Sequence, residues 1–318
     1  MHRSIAAGLS FSSLALALAG CPSDPVGNDS GTGGNDTGGS TEDAPSMQRC
    51  PTTGVPSPEE QMLPCCYRHS QADQQDTPEM RLRFIQIDEP AMSPLASTAV
   101  ESVLNNGLQE ETFNWLFRTT GADGDGPIEI STGYGIRNGD GTYTLGSTEY
   151  PALTLPGTLT GETVATETVL GPLDIPVFDE TGTTLQLVLR LRSVRVIEAN
   201  LTDSRNCIGT RRGNAFTTDA SLEGYVTVAD ARMGMINVPP IMSTLCSVIA
   251  GELATPAGMM PLCDRPQSEW DAQPDSMCDA DGCETNPAGA TSVCDPATTC
   301  NAWRLLANFA AVGIDIAE

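Results

Sequence analysis

Eleven cysteines are the side chains of this 318-residue chain best able to do covalent chemistry: Cys21, Cys50, Cys65, Cys66, Cys207, Cys246, Cys263, Cys278, Cys283, Cys294 and Cys300. Cys278 and Cys283 have four residues between them, a spacing that zinc ligands also use. Imidazole partners are scarce, because the histidines are His2 and His69 alone. His69 lies beside Cys65-Cys66 and would have to be the base of any Ser–His or Cys–His nucleophile pair; a surface or packing role suits it better. The sequence has neither Gly-x-Ser-x-Gly nor His-Glu-x-x-His, and it carries no cofactor fingerprint. Carboxylates remain. Asp123-Gly124-Asp125-Gly126 and Asp279-Ala280-Asp281-Gly282-Cys283-Glu284 set acids at alternate positions, where they could converge on a hard cation such as calcium. Both lack the full ligand series of an EF-hand loop, and Asp-Gly pairs are ordinary tight-turn chemistry, so solvated turns are expected. Two acids facing each other across a cleft would suit glycoside hydrolysis. Three Trp and five Tyr, however, leave few platforms on which a sugar could stack.

The charge balance narrows the classes further. Every one of the 16 basic residues is Arg, against 41 acidic residues, for a net charge of −25. Such a surface repels phosphate, which excludes nucleic-acid binding. After residue 20 no apolar stretch approaches the roughly 18 residues needed to span a bilayer. A hydrophobic content of 39% with so many cysteines reads as an exported globular protein.

Residues 1–20 have the layout of a secretory signal: His2 and Arg3, then an apolar run from Ile5 to Ala19 that ends in small residues. Leu18-Ala19-Gly20-Cys21 resembles the lipobox of bacterial lipoproteins, a resemblance confined to residues 1–21. The resemblance implies a diacylglyceryl thioether on Cys21, cleavage before that residue and acylation of the new amine. Each buried methylene contributes about 0.8 kcal/mol, so two or three chains on one Cys make a lasting membrane anchor. Pro22 stands where Asp would signal inner-membrane retention, which implies the outer membrane. Residues 21–48 are dominated by Gly, Ser, Thr, Asn and Asp and can bury almost nothing, so a disordered tether of about 25–30 Å is expected.

Lipidation of Cys21 would leave an even set of thiols, and an oxidising compartment makes structural disulfides their default state. That compartment also disfavours zinc. Cys50, Cys65 and Cys66 cannot satisfy one another, so at least one bridge must tie the N-terminal arm to a distant part of the chain. With Cys207–Cys246 as a middle pair, that bridge would run from the arm to the C-terminal group Cys263, Cys278, Cys283, Cys294 and Cys300. A single folded domain over residues 49–318 follows.

The elements expected within it are mainly β. Residues 80–88 alternate as a half-buried strand. Ser93 and Pro94 open a helix whose apolar face holds Val100, Val103, Leu104, Leu108 and Trp115, widened by Phe113, Leu116 and Phe117. Residues 128–134 and 143–150 flank a turn at Asn138-Gly139, and residues 152–170 continue in short runs. Residues 184–197 form the clearest strand, with Leu185, Leu187, Leu189 and Leu191 on one face and a bulge after Ser193. Residues 220–228 are a strand, residues 241–253 a helix, and residues 309–317 a closing strand. This pattern predicts an antiparallel sandwich or strongly curved sheet with a few packed helices. The expected function is that of a lipid-anchored, non-catalytic envelope protein. An anchored hydrolase using acidic residues, or a carrier whose curved sheet encloses an apolar cavity, are the alternatives. The partner or ligand is not legible.

Overall fold

Alternating apolar side chains write most of the architecture. A computed structural model describes Gln74 and residues 76–317, apart from 180–182, 203–204, 213–214, 239–240, 257 and 288–291, all within the unit Met47–Glu318. Residues 1–20, the linker 21–48 with Cys21, and Cys50, Cys65, Cys66 and His69 lie outside the described residues. Strand β1 (Glu79–Glu89) is followed by α1 (Thr98–Glu110), β2 (Trp115–Thr120), β3 (Gly126–Arg137) and β4 (Tyr143–Leu145). Next come β5 (Leu153–Thr160), β6 (Thr163–Thr166), β7 (Leu173–Phe178) and the long β8 (Leu185–Asn200). Short strands β9 (Cys207–Ile208), β10 (Thr210–Arg212) and β11 (Ala215–Thr217) lead to β12 (Ala220–Thr227) and α2 (Val228–Met233). The hairpin β13 (Met235–Val238) and β14 (Ile241–Thr244) precedes α3 (Leu245–Ala250), and the chain closes through β15 (Ser276–Cys278), β16 (Cys283–Thr285) and β17 (Ala302–Gly313).

Eight strands pair in the order β1-β2-β3-β5-β6-β8-β12-β17, and β17 pairs back onto β1. Each junction is antiparallel and neighbours follow chain order, which defines a closed up-and-down barrel. The strongly curved antiparallel sheet expected from the sequence is therefore present, closed on itself rather than split into a sandwich. Closure leaves no edge along the ring, which removes a template for aggregation. Inward positions are filled by large side chains: Leu82, Trp115, Leu155 and Phe309 are buried, and the rings of Phe117 and Phe309 stack with centroids 5.5 Å apart. The bulge after Ser193 is real, with Ser193 at φ 48° and a register shift against β12.

The helix opened at Ser93 is shorter than its apolar periodicity suggests. Ser93 caps a 3-10 turn at Pro94–Ala96, and α1 ends at Glu111 in a left-handed conformation. Trp115, Leu116 and Phe117 belong to β2, not to the helix face. Over residues 113–117 a period of two fits as well as one of 3.6, and pairing with β3 wins. The helix expected over 241–253 is likewise reduced to α3, because residues 241–244 pair with β13 and Thr244 caps the helix that follows. The closing strand begins earlier than expected, at Ala302.

Helix α1 takes the place of a strand beside the second half of β1. The Ile85 N–H donates to Asn105 Oδ1 at 2.8 Å, and Asn105 Nδ2 donates to the Ile85 carbonyl at 2.9 Å. One carboxamide thus imitates the paired donor and acceptor of a neighbouring strand. The Ile87 N–H donates to Glu101 Oε1 at 3.2 Å. At the helix C-terminus, Arg81 Nη1 donates to the Leu108 carbonyl at 2.6 Å and to Asn114 Oδ1 at 3.1 Å, while Arg83 Nη1 reaches the Leu108 and Gln109 carbonyls, both at 3.2 Å. These cations satisfy carbonyls that have no intrahelical donor.

Three disulfides join described residues: Cys246–Cys263, Cys278–Cys283 and Cys294–Cys300, with Cα–Cα distances of 5.8, 4.0 and 5.0 Å. The expected Cys207–Cys246 bridge does not form. Helix α3 presents Cys246 to the 3-10 turn Leu262–Asp264 that carries Cys263, whereas Cys207 sits on β9 beside β17. The C-terminal cysteines therefore have no thiol left to receive a bridge from the arm. Cys207 is itself disulfide-bonded, and not to Cys246.

Replacing Asn105 by Leu leaves both Ile85 backbone groups without their partners. The expected cost is about 2–4 kcal/mol, read as a lower urea midpoint, with Asn105→Asp losing roughly half as much because it keeps the acceptor.

Candidate functional site

Three regions hold groups that could act. The first is the outer face of the barrel, where β1, β8, β12 and β17 bring acids and arginines together. Glu223 accepts from Arg195 Nε at 2.8 Å and from Arg304 Nε at 2.7 Å, and Arg304 Nη1 reaches Glu89 at 2.9 Å. One row along, Arg190 holds Asp174 through two bonds of 2.7 Å, and Arg192 Nε donates to Asp230 Oδ2 at 2.8 Å. Burial works to raise the Asp230 pKa, but hydrogen bonds from Arg192 and Thr227 and the charges of Arg192 and Arg190 outweigh it, leaving a net depression. Among the described residues three carboxylates are buried, Glu79, Glu223 and Asp230, and each is bonded to an arginine; Glu79 takes Arg118 Nε at 2.7 Å. A general acid needs a raised pKa and a path to substrate. A carboxylate locked in an arginine fork lacks that path.

The second region is the acidic turns. Asp279 accepts the Asp281 N–H at 2.8 Å and its own N–H donates to the Gly282 carbonyl at 2.8 Å, so the run folds back as the hairpin between β15 and β16. The Cys278–Cys283 disulfide staples its base, which removes both sulfurs as zinc-binding thiolates. Asp123 and Asp125 are exposed, and Asp125 Oδ1 accepts the Gly161 N–H at 2.8 Å. Both runs are turns, as their Asp-Gly pairs suggest. No group of His, Cys, Asp or Glu able to hold a metal occurs among the described residues.

The third region is an apolar crevice at one end of the barrel, with about 60 Å³ of free space and no polar atom on its walls. The bulge in β1 between Leu82 and Phe84 resets the phase that turns Ile85 and Ile87 inward. Phe113 and Trp115 form the floor, and the Trp115 indole is fixed by donation from Nε1 to Thr132 Oγ1 at 2.8 Å. Half-buried Val103 and Leu104 of α1 face half-buried Leu187 and Leu189 of β8 across it, and Leu185 beyond them is 41% exposed. The leucine face of residues 185–191 was legible as a buried strand face. That part of it stays uncovered was not, since nothing in the spacing says that β7 and β8 run past the closed ring. A complete ring has walls but no lids, so its ends are where concavities form.

No protein family, curated protein or solved structure matches the chain.

Asp230 allows a pH test of the outer-face network. Its folded pKa is depressed, so its contribution is present above the unfolded carboxylate value near 4 and is lost as pH falls through the folded pKa. Asp230→Asn is expected to lower stability by about 1–2 kcal/mol at pH 7, a modest figure because the arginines are part exposed. The difference from wild type should shrink steadily below about pH 4 in urea titrations.

Proposed function

We propose that this chain is an outer-membrane lipoprotein, held by acyl chains on Cys21, whose barrel is a non-catalytic binding module displayed from the envelope. Support for the envelope location comes from two independent sets of residues. Leu18-Ala19-Gly20-Cys21 supply the anchor, and all seven described cysteines are disulfide-bonded, as an oxidising compartment requires. The observation that carries the non-catalytic reading is the pairing of every buried carboxylate in the described residues with an arginine. Those charges brace strands rather than face a cleft, which weighs against an anchored hydrolase. The net charge of −25 disfavours nucleic acid as a partner and favours a neutral or cationic one.

Anchoring is tested by growing cells on labelled palmitate. The wild-type chain should take up label and sediment with outer membranes, whereas Cys21→Ser should take up none and stay soluble. Label retained by Cys21→Ser would overturn the anchor. Turnover of any substrate in a panel of glycosides and esters would overturn the non-catalytic reading.

A further inference from the structure

We propose that the apolar crevice binds the single alkyl chain of an uncharged amphiphile, admitted when the first turns of α1 lift from β1. The inference rests on the reading of the barrel as a binding module and names the class of ligand it takes.

The walls select the chain. They are apolar throughout, so any polar or charged group placed among them would be desolvated without a partner. A slot flanked by Leu104, Leu187 and Leu189 and floored by Trp115 offers dispersion contacts along a methylene run. At about 60 Å³ the free space holds roughly two groups the size of a water molecule, so a longer chain needs the slot to widen. The means of widening is built into α1. Its C-terminus is clamped by Arg81 and Arg83, and its middle by the two bonds of Asn105. Its first turns, which carry Val100 and Val103 over the slot, are joined to β1 through the bond between Glu101 and the Ile87 N–H, at 3.2 Å. The helix is thus hinged at one end and lightly latched at the other.

A second observation indicates the rest of the ligand. Ser243 is 5% exposed and its hydroxyl has no hydrogen-bond partner. It is the cross-strand partner of Ile236, a crevice-lining residue, and shares its face of the β13–β14 hairpin. A buried orphan hydroxyl costs about 1–3 kcal/mol; Ser243 does not itself line the crevice, so an ester or alcohol oxygen of the ligand would reach it once the slot has widened past Ile236. A carboxylate would do so less well, because the net charge of −25 repels it.

Trp115 lines the crevice, whereas Trp270 and Trp303 stack on each other with centroids 5.6 Å apart and do not line it. Quenching of Trp115 fluorescence by a brominated alkyl chain therefore reads occupancy directly. The full chain carrying Cys21→Ser would be titrated, without detergent, with brominated monoacylglycerol, brominated fatty acid and vesicles of brominated phosphatidylcholine. Saturable quenching by the monoacylglycerol is expected, about fivefold tighter than by the fatty acid. Trp115→Phe should abolish the signal and Leu187→Glu, at a half-buried wall, should weaken binding at least tenfold, about 1.4 kcal/mol. Ser243→Ala should weaken it about fivefold, and Glu101→Ala should speed association about fivefold. Absence of saturable quenching, quenching that survives Leu187→Glu, or quenching by vesicles alone would overturn the proposal. Those results leave anchoring and lack of turnover untouched. Hydrolysis of the monoacylglycerol ester would instead overturn the non-catalytic reading.

Discussion

Strand β17 pairs with β1 along one edge and with β12 along the other, and on that double pairing the barrel depends. From Met80↔Gly313 to Glu89↔Leu306 the first and last described strands run antiparallel, which joins segments more than two hundred residues apart in the chain. Phe309 lies opposite both Ile85 and Ala220, so one ring sits at the junction of three strands and stacks on Phe117 of a fourth. Such contacts reward the chain only after a long loop has closed. The barrel is accordingly a structure in which the terminal strands complete what the meander from β1 to β12 prepares. A sheet of this curvature left open would expose the inward faces of β1 and β12 to water.

Closure also dictates where polar side chains go. With the interior filled by apolar groups, arginines and acids are confined to the outer face, where adjacent strands bring them into rows. Arg195, Glu223 and Arg304 lie on β8, β12 and β17 in succession, and Glu89 extends the row onto β1. These pairs sit at the boundary between sheet and solvent. Their desolvation cost is smaller than in a dry interior, and their attraction is correspondingly modest. They read as register marks between neighbouring strands rather than as catalytic machinery. Arg81 and Arg205 are buried exceptions; Arg81 is 3% exposed, and burial lowers its pKa against the opposing influence of Tyr143 and Glu111. The task of Arg81 is to close the end of α1, and it lies over the ring of Tyr143 at 5.9 Å from the centroid.

The local signals in the sequence were reliable where one periodicity stood alone. Leu185, Leu187, Leu189 and Leu191 alternate without competition, and the phase slip after Ser193 marks a true bulge. Near Trp115 two periodicities overlapped, and only the presence of β3 decides between them. The role of Asn105 has no sequence signature, because a polar residue among Glu101, Asn106 and Glu110 reads as part of a solvated helix face. Cysteine spacing failed for a related reason. Cys207 and Cys246 are the two middle cysteines in sequence, but disulfides follow distance in space, and α3 stands Cys246 against Cys263.

The open end of the barrel follows from the same constraint that closes its sides. Strands β7 and β8 continue past the ring, and from Leu185 to Leu191 β8 no longer pairs with β12, which meets it at Arg192 and beyond. A hairpin that leaves the ring keeps its leucine face but loses the opposite wall. Helix α1 supplies that wall from the other side, through side chains rather than a backbone ladder. A ladder would have fixed the wall at strand spacing, whereas a helix clamped at its C-terminus by Arg81 and Arg83 and held elsewhere by the side chains of Asn105 and Glu101 can shift its first turns without unpairing any strand. The chain thus has a rigid ring with one adjustable face, and that face is the apolar one.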